Sequence, residues 1–242
     1  MGFLDFFTGG TPQSKVDRIK RRLMDPYRQT HERYEAMDEL TKLGTAEALD
    51  AMLQRFTLRT NGPTVDEEEK QYCYEQIAKW GDAAVAPLEH FVATHDAVYF
   101  PLRALRDLAG DDVAVGALMK AIDSADPGYH EGLERLREIV SNLRDFQHDR
   151  VRDALVRLLQ SRNNEIRFYA LDGLATYPSE EVAPHFAERM LDAAESARVK
   201  SIAYELAVDR ELPLAAWADT LPRTLPPTYR LDERGVLVRV PA

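Results

Sequence analysis

Six histidines, one cysteine and 41 acidic residues are the side chains of this 242-residue chain with the means for metal, thiol or acid–base chemistry. Spacing decides whether they can act together. No two histidines stand in a His-Glu-x-x-His pattern, which would turn two imidazoles to one helix face to hold zinc. His90 and His95 are five apart, on different faces of any helix they share. The acidic run Asp66-Glu67-Glu68-Glu69 lacks the alternating oxygen ligands of a calcium loop, so it reads as solvated. There is no Cys-x-x-Cys, no phosphate-cradling glycine loop and no Gly-x-Ser-x-Gly elbow. The expectation is therefore no catalytic residue, no metal, no cofactor and no enzyme. The lone Cys73, between Tyr72 and Tyr74, excludes an internal disulfide and suits a reducing compartment; at such a place it reads as a small, inert core residue.

The elements that must carry these residues are helices in a repeating pair. Apolar residues recur three and four apart along Tyr34–Phe56, Gln71–Val92, Pro101–Ile122 and Glu165–Leu191, each interrupted once by a short turn. Gly44, Gly81 and Gly110 fall where the first helix of a pair ends, suited to a left-handed cap. Thr45, Asp82 and Asp111 follow, in position to cap the second helix. A more divergent pair runs from Glu131 to Leu143 and Asp149 to Leu159, turning at Phe146; a last pair starts at Arg198–Val208 with a shortened second part, Pro213–Thr220. Asn61–Glu69 reads as a long acidic loop between the first two pairs. Ser14–Met24 reads as a basic helix capping the N-terminal end. Alternation around Asp232-Glu-Arg-Gly235, after Leu225-Pro-Pro, predicts a small β-hairpin.

Three strings carry a resemblance: Leu-Thr-Lys-Leu-Gly-Thr-Ala-Glu-Ala-Leu from Leu40, Ile-Ala-Lys-Trp-Gly-Asp-Ala-Ala-Val-Ala-Pro-Leu from Ile77, and Asn-Glu-Ile-Arg-Phe-Tyr-Ala-Leu-Asp-Gly-Leu from Asn164. They resemble bacterial HEAT repeats. The fold this implies is all-α: a right-handed α-solenoid of about five to six helical hairpins with a short C-terminal β-hairpin-like tail. Its expected parts are an apolar tip and capping helix (1–30), the repeat solenoid (31–220) and an extended or hairpin cap (221–242). Similar repeats occur in phycobilin lyases, where paired subunits attach a linear tetrapyrrole to a light-harvesting protein. They also occur in alkylpurine DNA glycosylases, whose binding face is basic and aromatic. Nothing in the sequence marks a pigment site, and Trp80 and Trp217 stand too far apart to suggest the second. The resemblance implies mostly scaffolds and adaptors.

The expected function is thus a non-catalytic scaffold or adaptor, binding a partner protein of unspecified identity on the solenoid surface. A phycobilin-lyase-like enzyme or chaperone subunit is one alternative. A membrane-associated adaptor is the other, with Phe3, Phe6 and Phe7 ahead of the basic residues Lys15, Arg18 and Arg22. Against that last reading, a solvated helix face accounts for the same charges. Aligning the second helices puts Gln54, His90, Lys120, Arg157 and Glu188 in one register, a mixed-charge column suited to a protein ligand. Arginines between Arg135 and Arg167 are interleaved with acids at helical ion-pair spacing, which needs no ligand. A net charge of −10 disfavours nucleic acid. No stretch reaches the roughly 20 apolar residues of a membrane span, and the N-terminus lacks a signal-peptide pattern; the expected location is the cytoplasm, and the expected state a monomer.

Overall fold

Helices account for most of the chain, as the spacing of its apolar residues requires. The computed structural model describes residues 12–60, 62–124 and 130–240. The helices in order are α1 (Pro12–Leu23), α2 (Thr30–Leu43), α3 (Ala46–Gln54), α4 (Pro63–Ile77), α5 (Val85–Thr94), α6 (Tyr99–Ala109), α7 (Asp111–Ser124), α8 (His130–Leu143), α9 (Asp149–Leu158), α10 (Asn164–Leu174), α11 (Ser179–Leu191) and α12 (Ala197–Asp209). Short 3-10 turns follow at Ala215–Trp217 and Leu221–Arg223. Two strands, β1 (Tyr229–Leu231) and β2 (Leu237–Arg239), pair antiparallel with Arg230 opposite Val238. The protein is all-helical with HEAT-like helical repeats and this one small hairpin, as the periodicity predicts.

The chain divides into two compact units, residues 1–124 and 125–242. In the first, α1 packs on α2 and α3 through Val16, Ile19 and Leu23, spaced to fall on one helix face and all buried. The first helices of each pair, α2, α4 and α6, pack side by side, and the second helices α3, α5 and α7 form the layer behind them. In the second unit α10 touches α8, α9 and α12, while α11 lies on α12 and β2 closes against α12. Each core is built from Leu, Ala, Val and Met on these inward faces.

The acidic segment before Gln71 is where the structure departs from the sequence reading. It is helix, not loop: Pro63 stands at the first turn of α4, where a missing N–H is no loss. Nor is the acidic run solvated throughout. Asp66 is buried and Glu69 is 0% exposed, facing Arg33 of α2 and Arg55 beyond α3. Arg33 grips Glu69 with two hydrogen bonds of 2.7 Å, and Arg55 binds the same carboxylate at 2.7 Å and Asp66 at 2.8 Å. Lys70 completes the cluster at 2.6 Å from Asp66. Burial without partners would be prohibitive for these charges, so the apolar pattern of α4 is broken by the residues its arginine partners demand.

The expected caps are partly met. Gly44 is left-handed at φ 62° and Thr45 accepts from the Ala48 N–H. Gly81 and Gly110 also have positive φ, but with extended ψ values outside the left-handed helical region. Asp111 is the first residue of α7 and holds Arg106 at 2.6 Å, and Asp82 lies inside a 3-10 stretch instead of capping α5. No helix among the described residues is long and apolar enough to cross a membrane.

Candidate functional site

The second unit presents an arginine-and-aromatic strip on the outward side of α8, α10 and α12. Asn163 starts α10 by accepting from the N–H groups of Glu165 and Ile166. Ile166, Ala170, Leu171 and Leu174 then take the core, which leaves Glu165, Phe168, Tyr169 and Asp172 only partly covered. Burial of Leu136, Ile139, Val140 and Leu143 similarly leaves Arg137 and Ser141 of α8, and Arg144 in the turn after it, outside, and Val199 and Ala203 leave Arg198 exposed on α12.

These side chains meet across helices. Arg198 lies over the Phe168 ring, 4.8 Å from its centroid, and binds Glu165 at 3.1 Å. Arg137 lies 5.9 Å over the Tyr169 ring, with Glu134 at 2.9 Å and Glu165 at 3.8 Å. Its guanidinium is held above the ordinary arginine value, first by hydrogen bonding with Tyr169 and then by the neighbouring carboxylates. The two rings meet edge to face at 5.4 Å, and Arg144 ties to Asp172 at 3.0 Å. Between α8 and α10 these groups leave a shallow depression of about 80 Å³ lined by Glu134, Arg137, Glu138, Ser141 and Tyr169. Planar cations stacked on rings are the side chains that dominate binding energy at protein interfaces.

The first unit carries a strip of different chemistry on α2, α4 and α6. Tyr34 and Tyr72 meet edge to face at 4.6 Å, and Tyr72 donates to Asp38 at 2.5 Å. That bond, with burial, pushes the Tyr72 phenol up to about 12. Tyr74 donates to Asp107 beneath Arg103, which stands 4.7 Å over its ring.

The residues singled out from sequence are distributed as follows. In the first unit Gln54 is half-buried at the end of α3, with its carbonyl accepting from Thr57, and His90 is exposed on α5. Lys120 of α7 reaches Glu89 of α5, beside His90, at 3.5 Å. In the second unit Arg157 is exposed on α9, and Glu188 on α11 binds its neighbour Arg189 at 2.5 Å. Lys15 and Arg18 are exposed on α1, and Arg22 binds Glu39 at 2.7 Å. Phe3, Phe6 and Phe7 lie outside the described residues. Among the arginines from 135 to 167, pairing runs between helices as well as along them: Arg152 reaches Glu181 at 2.9 Å, and Arg167 holds buried Glu195 with bonds of 2.6 and 2.8 Å. Phe168 and Tyr169 were missed, although the inward register of Ile166 and Ala170 turns both outward. Among the described residues no three His, Cys, Asp or Glu side chains converge on a metal position.

The fold and these surfaces define an all-helical protein of HEAT-like helical repeats. No family model matches the chain, and no curated protein does. A solved structure that it resembles is human deoxyhypusine hydroxylase in complex with glycerol, at 18% identity and a TM-score of 0.36, over 88% of this chain and 92% of that one. That neighbour is an enzyme, and on this finding the expectations of a non-catalytic scaffold and of no enzymatic role are corrected. A likeness at that level transfers no activity, substrate or residue role to this chain.

Proposed function

We propose that the chain works as a subunit of a phycobilin-lyase-like enzyme or chaperone, holding the acceptor protein while a linear tetrapyrrole is attached to it. The repeat strings from Leu40, Ile77 and Asn164 resemble HEAT repeats of the kind that such lyases also contain. The observation that carries the reading is the strip of Arg137, Phe168, Tyr169 and Arg198. It is an open surface spanning three helices, and its residue types suit a polypeptide better than a small enclosed substrate. Glu165, between the two arginines, keeps both guanidiniums oriented before any partner arrives, which lowers the ordering entropy of binding.

The test is reconstitution: purified chain, bilin and apo-phycobiliprotein subunits, with and without candidate companion lyase subunits. Covalent pigment is read by absorbance after denaturation. The reading expects faster or more regioselective attachment with the chain present, and at least about tenfold weaker acceptor binding in Arg137→Ala/Tyr169→Ala. Unchanged attachment together with no complex between the chain and either bilin or acceptor would overturn it.

A further inference from the structure

From the outer face of α1 we infer a docking site for an anionic lipid bilayer. The helix carries five cations, Lys15, Arg18, Lys20, Arg21 and Arg22, against one acid, Asp17. The fold sorts them into two groups. Lys20 and Arg22, on the flanks of the buried face, hold Asp50 of α3 at 3.7 Å and Glu39 of α2 at 2.7 Å, fastening α1 to the first repeat. Lys15, Arg18 and Arg21 stay exposed, and among the described residues none of the three has a carboxylate partner within ion-pair distance; Arg21 donates to the Asp17 carbonyl. The helix thus keeps three cations directed at solvent in a chain of net charge −10.

The occupant follows from two features. With Val16, Ile19 and Leu23 spent on the repeat, α1 has no apolar face left to insert, so its attraction is electrostatic and directed at a surface. The turn leaving α1 holds out Tyr27, 86% exposed, while its backbone N–H is fixed by Asp25 at 3.0 Å. An extended aromatic with a polar tip is the side chain that settles among lipid headgroups, and it has no part in gripping a polyanion through charge alone. Lipid phosphates next to exposed lysines and arginines contribute through simple proximity, without a shaped pocket.

Flotation of the full chain with phosphatidylcholine vesicles, with and without phosphatidylglycerol, tests this. Binding is expected only with the anionic lipid, and is expected to vanish as salt screens the charges. Lys15→Gln/Arg18→Gln/Arg21→Gln should weaken partitioning by about tenfold to a hundredfold, since each cation near such a surface is worth about 1 kcal/mol. Tyr27→Ala should weaken it less, and Arg223→Gln, on an exposed turn of the second unit, should leave it unchanged. The three exposed cations support no core, so helical circular dichroism of the triple variant should match the unsubstituted chain. Equal flotation on neutral and anionic vesicles, no flotation at all, an unaffected triple variant, or binding to RNA without binding to vesicles would each overturn the inference.

Discussion

Glu69 accepts hydrogen bonds from two arginines of two other segments in a place no water reaches, and its loss would leave buried Arg33 without its carboxylate and Arg55 with Asp66 alone. Glu69→Gln is expected to lower unfolding free energy by about 3–5 kcal/mol, measured by urea titration at neutral pH. The pH dependence follows from the same geometry. Burial alone would raise the Glu69 and Asp66 carboxyls, but hydrogen bonds and charge from Arg33, Arg55 and Lys70 outweigh it and hold both below their ordinary values of 4.5 and 3.8. Their stabilisation is therefore present in full above those values and is lost as pH falls through the lower folded ones. Glu69→Gln should flatten that acid limb of the stability curve; an acid limb as steep as in the unsubstituted chain would assign it to other carboxylates. Cys73 makes a second expectation at this scale. Burial pushes its thiol up to about 12, and its sulfur contacts the Met52 carbonyl at 3.3 Å. A thiol reagent should find no reactive group in the folded chain and one equivalent in denaturant.

Helix α1 shows how one element is anchored on one side and free on the other. Val16, Ile19 and Leu23 each contribute about 1.5–3 kcal/mol by burial, so removing residues 1–24 should lower the melting temperature of the first unit, read by helical circular dichroism. An unchanged melt would mean α2 and α3 close without a cap. In the second unit the tail hairpin depends on one glycine. Gly235 has φ 73°, and a Cβ there would stand 2.6 Å from Ala215. Its carbonyl accepts from Leu214, which locks the hairpin onto the turn before Ala215. Gly235→Ala therefore combines backbone strain with a clash. It should be more destabilising than Gly44→Ala, where φ is 62° and no clash arises and the cost is about 1–2 kcal/mol. Equal losses by urea titration would show that the Ala215 contact relaxes freely.

Across the whole molecule, the helical pairs form two units that each bury their own core. Neighbouring repeats supply one another's apolar cover, so stability is expected to be a sum over local units. Fragments 1–124 and 125–242, expressed separately, should each show a cooperative helical melt. A fragment that is helical only when mixed with the other would show that the cores are interdependent. The boundary falls within the stretch 31–220 that reads from sequence as continuous repeats, because apolar periodicity reports which face of a helix is buried and not which helices share a core.

Legible along the chain were the set of helices, the α2–α3 and α6–α7 pairings, the Gly44–Thr45 turn and the tail hairpin. All of these rest on local physics: apolar spacing, side-chain caps and residues that tolerate positive φ. Tertiary structure alone decided the fate of the charges. Asp66 and Glu69 look like part of a solvated acidic run until Arg33, 36 residues from Glu69 along the chain, and Arg55 are brought against them. In the same way Arg137, Phe168, Tyr169 and Arg198 become one strip only when α8, α10 and α12 lie side by side. A charge or a ring takes its meaning from what faces it, and the facing residue is chosen by packing between helices rather than by neighbours in the chain.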